Sequence, residues 1–165
     1  MSGRQSPPAE LRTPSPPWLR SFAYAAAGLR RSWSSERNFR VQCAAGWAVL
    51  GLAALARMSA LRGALLCAVV AAVLGMETMN SAVEVLVDLA SPQPHPLAKT
   101  AKDLAAGAVL AVSLGALAAG LLAFWPLRAL AGPLRARPAE AGVYLLGLAV
   151  LIGLACARLP GRRSR

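Results

Sequence analysis

Three carboxylates and an amide, Glu77, Asn80, Glu84 and Asp88, close an apolar run at spacings i, i+3, i+7 and i+11. On a helix of about 3.6 residues per turn they fall along one stripe. Apart from Ser81, the positions between them are Thr, Met, Ala, Val and Leu, so the stripe gathers negative charge and offers no cation of its own. Oxygen donors of this kind suit Mg²⁺, which keeps several waters and the phosphates of a nucleotide such as ATP. Glu36 and Glu84 are candidates to hold the metal, and Lys99 and Lys102 to neutralise phosphate charge. Glu77 is the acid deepest in the apolar run, where a partly desolvated carboxylate can take the proton of an attacking hydroxyl. The chemistry these residues fit is phosphoryl transfer to an alcohol at a membrane face. The chain has no Gly-x-x-x-x-Gly-Lys-Ser/Thr segment, kinase Gly-rich loop or nucleophile elbow, so it matches none of the familiar soluble designs.

The elements that must position these groups are membrane helices. With 56% hydrophobic and only 15% charged residues among 165, the chain is too apolar for a soluble domain of its size. Four apolar spans are expected at roughly 39–56, 61–90, 104–125 and 141–157, the second carrying the acidic stripe in its C-terminal half. Before them, Trp18, Phe22, Ala26, Leu29 and Trp33 follow helical spacing with Arg20, Arg30 and Arg31 largely off that stripe. Such a helix can lie in the membrane interface, and an extension of the first span fits the same periodicity. Residues 1–17, with five prolines, are expected to form a flexible tail. The net charge of +11 comes from basic residues at the ends of apolar runs, a pattern that argues for anionic lipid and against nucleic acid. Cys43, Cys67 and Cys156 lie within apolar runs without motif spacing and read as core packing.

Counting cations orients the chain. With the N-terminus inside, seven arginines up to Arg40, Lys99, Lys102 and the four arginines from Arg158 onward lie inside, 7 + 2 + 4 = 13, against Arg57, Arg62, Arg128, Arg135 and Arg137 outside. Thirteen against five favours a cytoplasmic N-terminus in the bacterial cell membrane. The acidic stripe, the turn Ser91-Pro-Gln93-Pro94-His95-Pro96 and the lysines then meet on the cytoplasmic side, where ATP is. Each residue also has a plainer reading. Glu77 and Glu84 could be paired with buried cations or line an ion or proton pathway, and Asn80 could hydrogen-bond between helices. His95 could be an exposed loop residue, and the lysines could be snorkelling anchors. A non-catalytic membrane protein would also place acids in a helix; it would spread them through the membrane depth.

The block Glu77-x-x-Asn80-Ser81-Ala82-Val83-Glu84-x-x-Val87-Asp88 resembles the signature of the prokaryotic diacylglycerol kinase family. Ser21-Phe-Ala-Tyr24, Gly28-Leu29, Glu36-Arg37-Asn38-Phe39-Arg40 and the run from His95 through Lys99, Lys102 and Asp103 to Gly107 recur in order at family spacing. The resemblance covers residues 18–125 and implies an all-α homotrimer, each subunit with an interfacial helix and three membrane spans. It implies Glu77 as general base and Glu36 with Glu84 as the metal pair. Tyr24, Gln93, Pro94, His95, Lys102 and Asp103 would line the ATP site, with Asn80 and Asp88 as further polar residues. The Glu-Arg-Asn and His-Pro-Leu-Ala-Lys-x-Ala-Lys-Asp stretches resemble the Gram-positive-type branch, which implies undecaprenol as the acceptor, with diacylglycerol as the alternative. Two departures stand out. An arginine of the family's nucleotide site falls on Pro17, leaving Arg12 or Arg20 to replace it, and residues 126–165 add a Pro/Arg linker and a fourth span. That added segment is expected to pack outside the trimer and return the C-terminus to the cytoplasm.

Overall fold

A computed structural model describes residues 17–125 and 131–157. The expected tail, including Arg12, lies almost wholly outside the described residues. Among them the chain is all helical: α1 (Pro17–Ser35), α2 (Arg37–Leu55), α3 (Ala60–Ala90), α4 (Pro96–Ala123), α5 (Ala131–Ala136) and α6 (Pro138–Cys156).

The breaks between helices are written locally. At Glu36 the backbone turns extended between α1 and α2. The end of α2 is a left-handed stop at Arg57 (φ 49°), where Arg57 N donates to Ala54 O at 3.0 Å and Met58 N to Ala53 O at 3.1 Å. These two bonds satisfy carbonyls the helix leaves open, and Met58 packs back against the cluster containing Ala53. Between α3 and α4 the three prolines stop one helix and start the next, as expected. His95 caps α4, its Nδ1 accepting from Leu97 N at 3.2 Å, with Pro96 at the first helical position. For this reason α4 starts eight residues before the apolar run that the hydropathy pattern marks at 104.

Of these helices, α3, α4 and α6 are long and apolar enough to cross a membrane. The first expected span corresponds to α2, which falls short of that standard. Its opening turns carry Arg37, Asn38, Arg40 and Gln42, so its continuous apolar stretch begins only at Cys43.

α3 packs along α4 and, on another face, against α2; α6 packs against α2. A buried cluster of Ala53, Leu66, Ala123 and Phe124 closes the end of the bundle where α2, α3 and α4 meet. Elsewhere the contact surfaces are narrow and much apolar surface faces outward: none of the most apolar eighteen residues of α4 is buried. Such a surface requires lipid or neighbouring chains around it.

The α2–α6 contact is specific. Tyr144 of α6 lies over Gly51, where a Cβ would sit 2.1 Å from its ring, and its hydroxyl donates to Ala48 O at 2.5 Å. Gly147 in turn faces the Trp47 ring, and the guanidinium of Arg40 donates to Ala157 O at 3.5 Å. These pairs run in opposite order along the two helices, so α6 is antiparallel to α2 and its C-terminal end returns to the end of the bundle where α2 begins.

Candidate active site

The N-terminal turns of α2, the C-terminal half of α3 and the start of α4 share one end of the bundle, and the stripe anticipated on α3 faces this junction. Glu77 is 3% exposed, buried between helices rather than at the surface. Its Oε2 accepts from Gln42 Nε2 on α2 at 3.2 Å. The carboxylates of Glu36 and Glu84 lie close enough to act on it electrostatically. Among the described residues no ion pair includes Glu77, so the alternative of a buried structural salt bridge does not account for it.

One turn on, Asn80 Nδ2 donates to Glu84 Oε1 at 3.0 Å, an i, i+4 bond that fixes the Glu84 rotamer. The Asn80 amide therefore serves its own helix rather than a neighbouring one, and its Oδ1 is buried with no protein partner. The hydroxyls of Thr78 and Ser81 donate to Leu74 O and Glu77 O, leaving the amide and carboxylates as the stripe's outward-directed groups. Glu36 sits at the N-cap position of α2 without making a capping bond, so its carboxylate is not spent on the helix.

The metal question can be put to these groups. Among the described residues no three His, Cys, Asp or Glu side chains gather closely enough to form a cage. Mg²⁺ does not require one; it is commonly bound through one or two carboxylates, with water and substrate phosphates completing its shell. A pair such as Glu36 and Glu84, with the unpaired Asn80 oxygen beside it, fits that chemistry.

Farther along, Asp88 Oδ1 meets Lys102 Nζ at 2.5 Å across α3 and α4, and Lys99 Nζ meets Asp103 Oδ2 at 2.5 Å within α4. Both lysine charges are thus held by exposed carboxylates, a loose arrangement in water that a polyphosphate can compete for. In the connecting turn Gln93 O accepts from Ser91 Oγ at 2.9 Å, and Gln93, Pro94 and His95 are exposed. Tyr24 is 68% exposed on α1, and Arg20 is exposed there too. The residue that pattern reading missed is Gln42. The available signal was a single amide entering an apolar helix, six residues after Glu36.

The sequence profile of prokaryotic diacylglycerol kinase matches residues 23–124. The chain belongs to that family. It is therefore a lipid kinase, and the reading as a non-catalytic ion pathway falls. The undecaprenol kinase of Bacillus subtilis (strain 168) is 37% identical over 109 residues, covering 66% of this chain and 89% of that protein. The diacylglycerol kinase of Synechocystis sp. (strain ATCC 27184 / PCC 6803 / Kazusa) is 42% identical over 106 residues, covering 64% of this chain and 61% of the relative's length. The diacylglycerol kinase of Escherichia coli (strain K12) is 30% identical over 107 residues, 65% of this chain and 88% of the relative. No solved structure matches the chain. The matched span of this lipid kinase contains every candidate from Tyr24 to Asp103 but neither Arg12 nor Arg20, and it ends as α4 does, so α5 and α6 lie beyond it.

Proposed function

We propose that this lipid kinase transfers the γ-phosphoryl group of ATP to undecaprenol in the bacterial cell membrane, giving undecaprenyl phosphate and ADP. The observation that carries the chemistry is the buried Glu77 carboxylate, held by Gln42 and adjoined by Glu36 and Glu84. The acceptor's hydroxyl oxygen forms a bond to the γ-phosphorus as the bond from phosphorus to the β–γ bridging oxygen breaks. Glu77 takes the hydroxyl proton, and ADP leaves with the electron pair. No phospho-enzyme forms. Glu36 and Glu84 would hold Mg²⁺, which when bound offsets phosphate charge. Lys102, with Asp103, Tyr24, Gln93, Pro94 and His95, contributes to the nucleotide site, and Asp88 and Asn80 hold their neighbours in place.

The undecaprenol assignment is supported by the Glu36-Arg37-Asn38 and His95-to-Asp103 stretches together with the match over 89% of the Bacillus subtilis enzyme. Diacylglycerol is the second acceptor to consider, favoured by the higher identity to the Synechocystis protein. The homotrimer is what the family resemblance implies, and the outward apolar faces of α3 and α4 suit lipid or neighbouring subunits, with α1 at the membrane interface, where Trp18, Phe22 and Leu29 are exposed. The cation count favours an active site facing the cytoplasm.

The test is transfer of ³²P from γ-labelled ATP in detergent micelles, offering undecaprenol and diacylglycerol side by side with Glu77→Gln as control. Label chiefly in undecaprenol, lost in the variant, is the expected result; label chiefly in diacylglycerol reverses the acceptor assignment. Turnover in Glu77→Gln should fall by about 10²–10⁴-fold, the usual contribution of general acid–base catalysis, with nucleotide binding retained. Loss of nucleotide affinity at unchanged turnover would contradict the assignment of Glu77 as base.

A further inference from the structure

Gln42 makes the hydrogen bond from α2 to the buried carboxylate of Glu77, and its placement follows from the register of the two helices. The Gln42–Glu77 pair and the Ala53–Leu66 pair in the buried cluster are separated by eleven residues on each helix, 53 − 42 and 77 − 66, or about three turns. Between them Gly46 lets α2 approach so closely that a Cβ there would lie 2.7 Å from Val70 Cγ1. The antiparallel α2–α3 seam is therefore fixed at its far end by packing and in its middle by a glycine notch, and Gln42 is the polar group delivered to Glu77 at the other end.

The orientation of the amide is determined by chemistry. In the ionised state a base requires, the carboxylate only accepts, so the group facing Glu77 is then the Gln42 NH₂ and Oε1 points elsewhere, as in the structure. That oxygen is buried without a protein partner. Leaving such an acceptor unsatisfied is costly, and no apolar side chain at position 42 would incur that cost. Gln42 also stands at the head of an apolar groove lined by Ala45, Val69, Val73, Ser113 and Leu117, where little water is available to substitute for its donor.

Resting on the general-base reading of Glu77, we propose that Gln42 is a positioning residue for phosphoryl transfer. By donating to Oε2 it fixes the plane of the carboxylate and leaves Oε1 to receive the proton of the acceptor hydroxyl. A base held on one oxygen by a neutral donor keeps its rotamer without the ion pair that would lower its basicity.

The experiment compares the unaltered full-length chain with Gln42→Met, Gln42→Ala, Glu77→Gln and the Gln42→Met/Glu77→Gln double variant. Lipid phosphorylation is measured with undecaprenol and with diacylglycerol, and kcat and KM for ATP are separated. Gln42→Met keeps the approximate length of the side chain and removes the amide, donor and acceptor together. Expected is a fall in kcat of about tenfold or more in both Gln42→Met and Gln42→Ala with KM for ATP unchanged, as for loss of a transition-state contact. In the Glu77→Gln background, Gln42→Met should add almost nothing, because residues that act as a unit are not additive. Thermal unfolding in the same micelles identifies any variant that fails to fold; should Gln42→Met fail, Gln42→Leu replaces it.

Wild-type kcat in Gln42→Met, or loss in Gln42→Ala alone, would make Gln42 a packing residue and overturn the inference. A fall of the same size in both backgrounds would show that Gln42 acts elsewhere and also overturn it. No transfer to either lipid by the unaltered chain would overturn the acceptor assignment first and this inference with it, a result distinct from transfer that survives the loss of Gln42.

Discussion

At the scale of single residues, the site turns on how one carboxylate is kept ionisable in an apolar bundle. Glu77 has one neutral donor, two neighbouring carboxylates and, among the described residues, no cation. This concentration of like charge is unfavourable until something positive arrives, which is the physical reason to expect a divalent ion here. Glu84 and Glu36 differ in how they are held: Asn80 fixes Glu84, whereas Glu36 has only the α1–α2 junction to orient it. Replacing Glu84 or Glu36 by Gln should raise the Mg²⁺ concentration needed for half-maximal activity while leaving the protein folded, and Mg²⁺ titration of initial rates measures it. Unchanged Mg²⁺ dependence in both variants would remove them from metal binding. The α3 members of this cluster, Glu77, Asn80 and Glu84, could be read directly from their spacing, because a helix converts i, i+3, i+7 into a face; Glu36, on the α1–α2 junction, could not. Gln42 could not, because it lies on a different helix and its relevance depends on how two helices pass each other.

At the scale of elements, the α2–α6 contact shows glycine used as a socket. Tyr144 fits over Gly51 and is held there by its hydroxyl bond to Ala48 O, so the ring cannot move aside freely. Gly51→Val should overpack this contact, lower the melting temperature by an amount corresponding to about 1–3 kcal/mol, and expose the region before α6 to protease. A variant as stable and as protease-resistant as the parent would mean that α6 is not seated through this socket. The apolar periodicity of α6 was legible in the chain and its existence was expected. Its partner was not, because four apolar helices rich in Ala and Gly have many similar ways to pack, and only the pairing of Tyr144 with a missing Cβ selects α2.

At the scale of the whole molecule, the family match lies within residues 23–124 and the added helix packs on the α2 of that portion. A chain ending at Trp125 should therefore retain lipid kinase activity in micelles, with its main loss in stability; absence of activity from a folded truncated protein would give α6 a part in the reaction. The antiparallel seating of α6 on α2, with Ala157 beside Arg40, puts the C-terminal end of α6 level with the carboxylate cluster. A reporter fused after Arg165 should accordingly read as cytoplasmic, on the same side as the site, and an extracytoplasmic reading would contradict this topology.

Local chemistry is what the sequence by itself determined: the helical stripe of acids, the proline-rich turn, the apolar spans and the family to which the motifs belong. Each of these depends on residues a few positions apart, where backbone geometry alone sets the relationship. Tertiary structure decided which of the acids is buried, that its partner is an amide and not a cation, and which face the extra helix covers. These depend on the distance and register between helices, set here by Gly46 against Val70, Gly51 under Tyr144 and the Ala53–Leu66 cluster. Such contacts join residues far apart in the chain, and no periodicity within one helix encodes them.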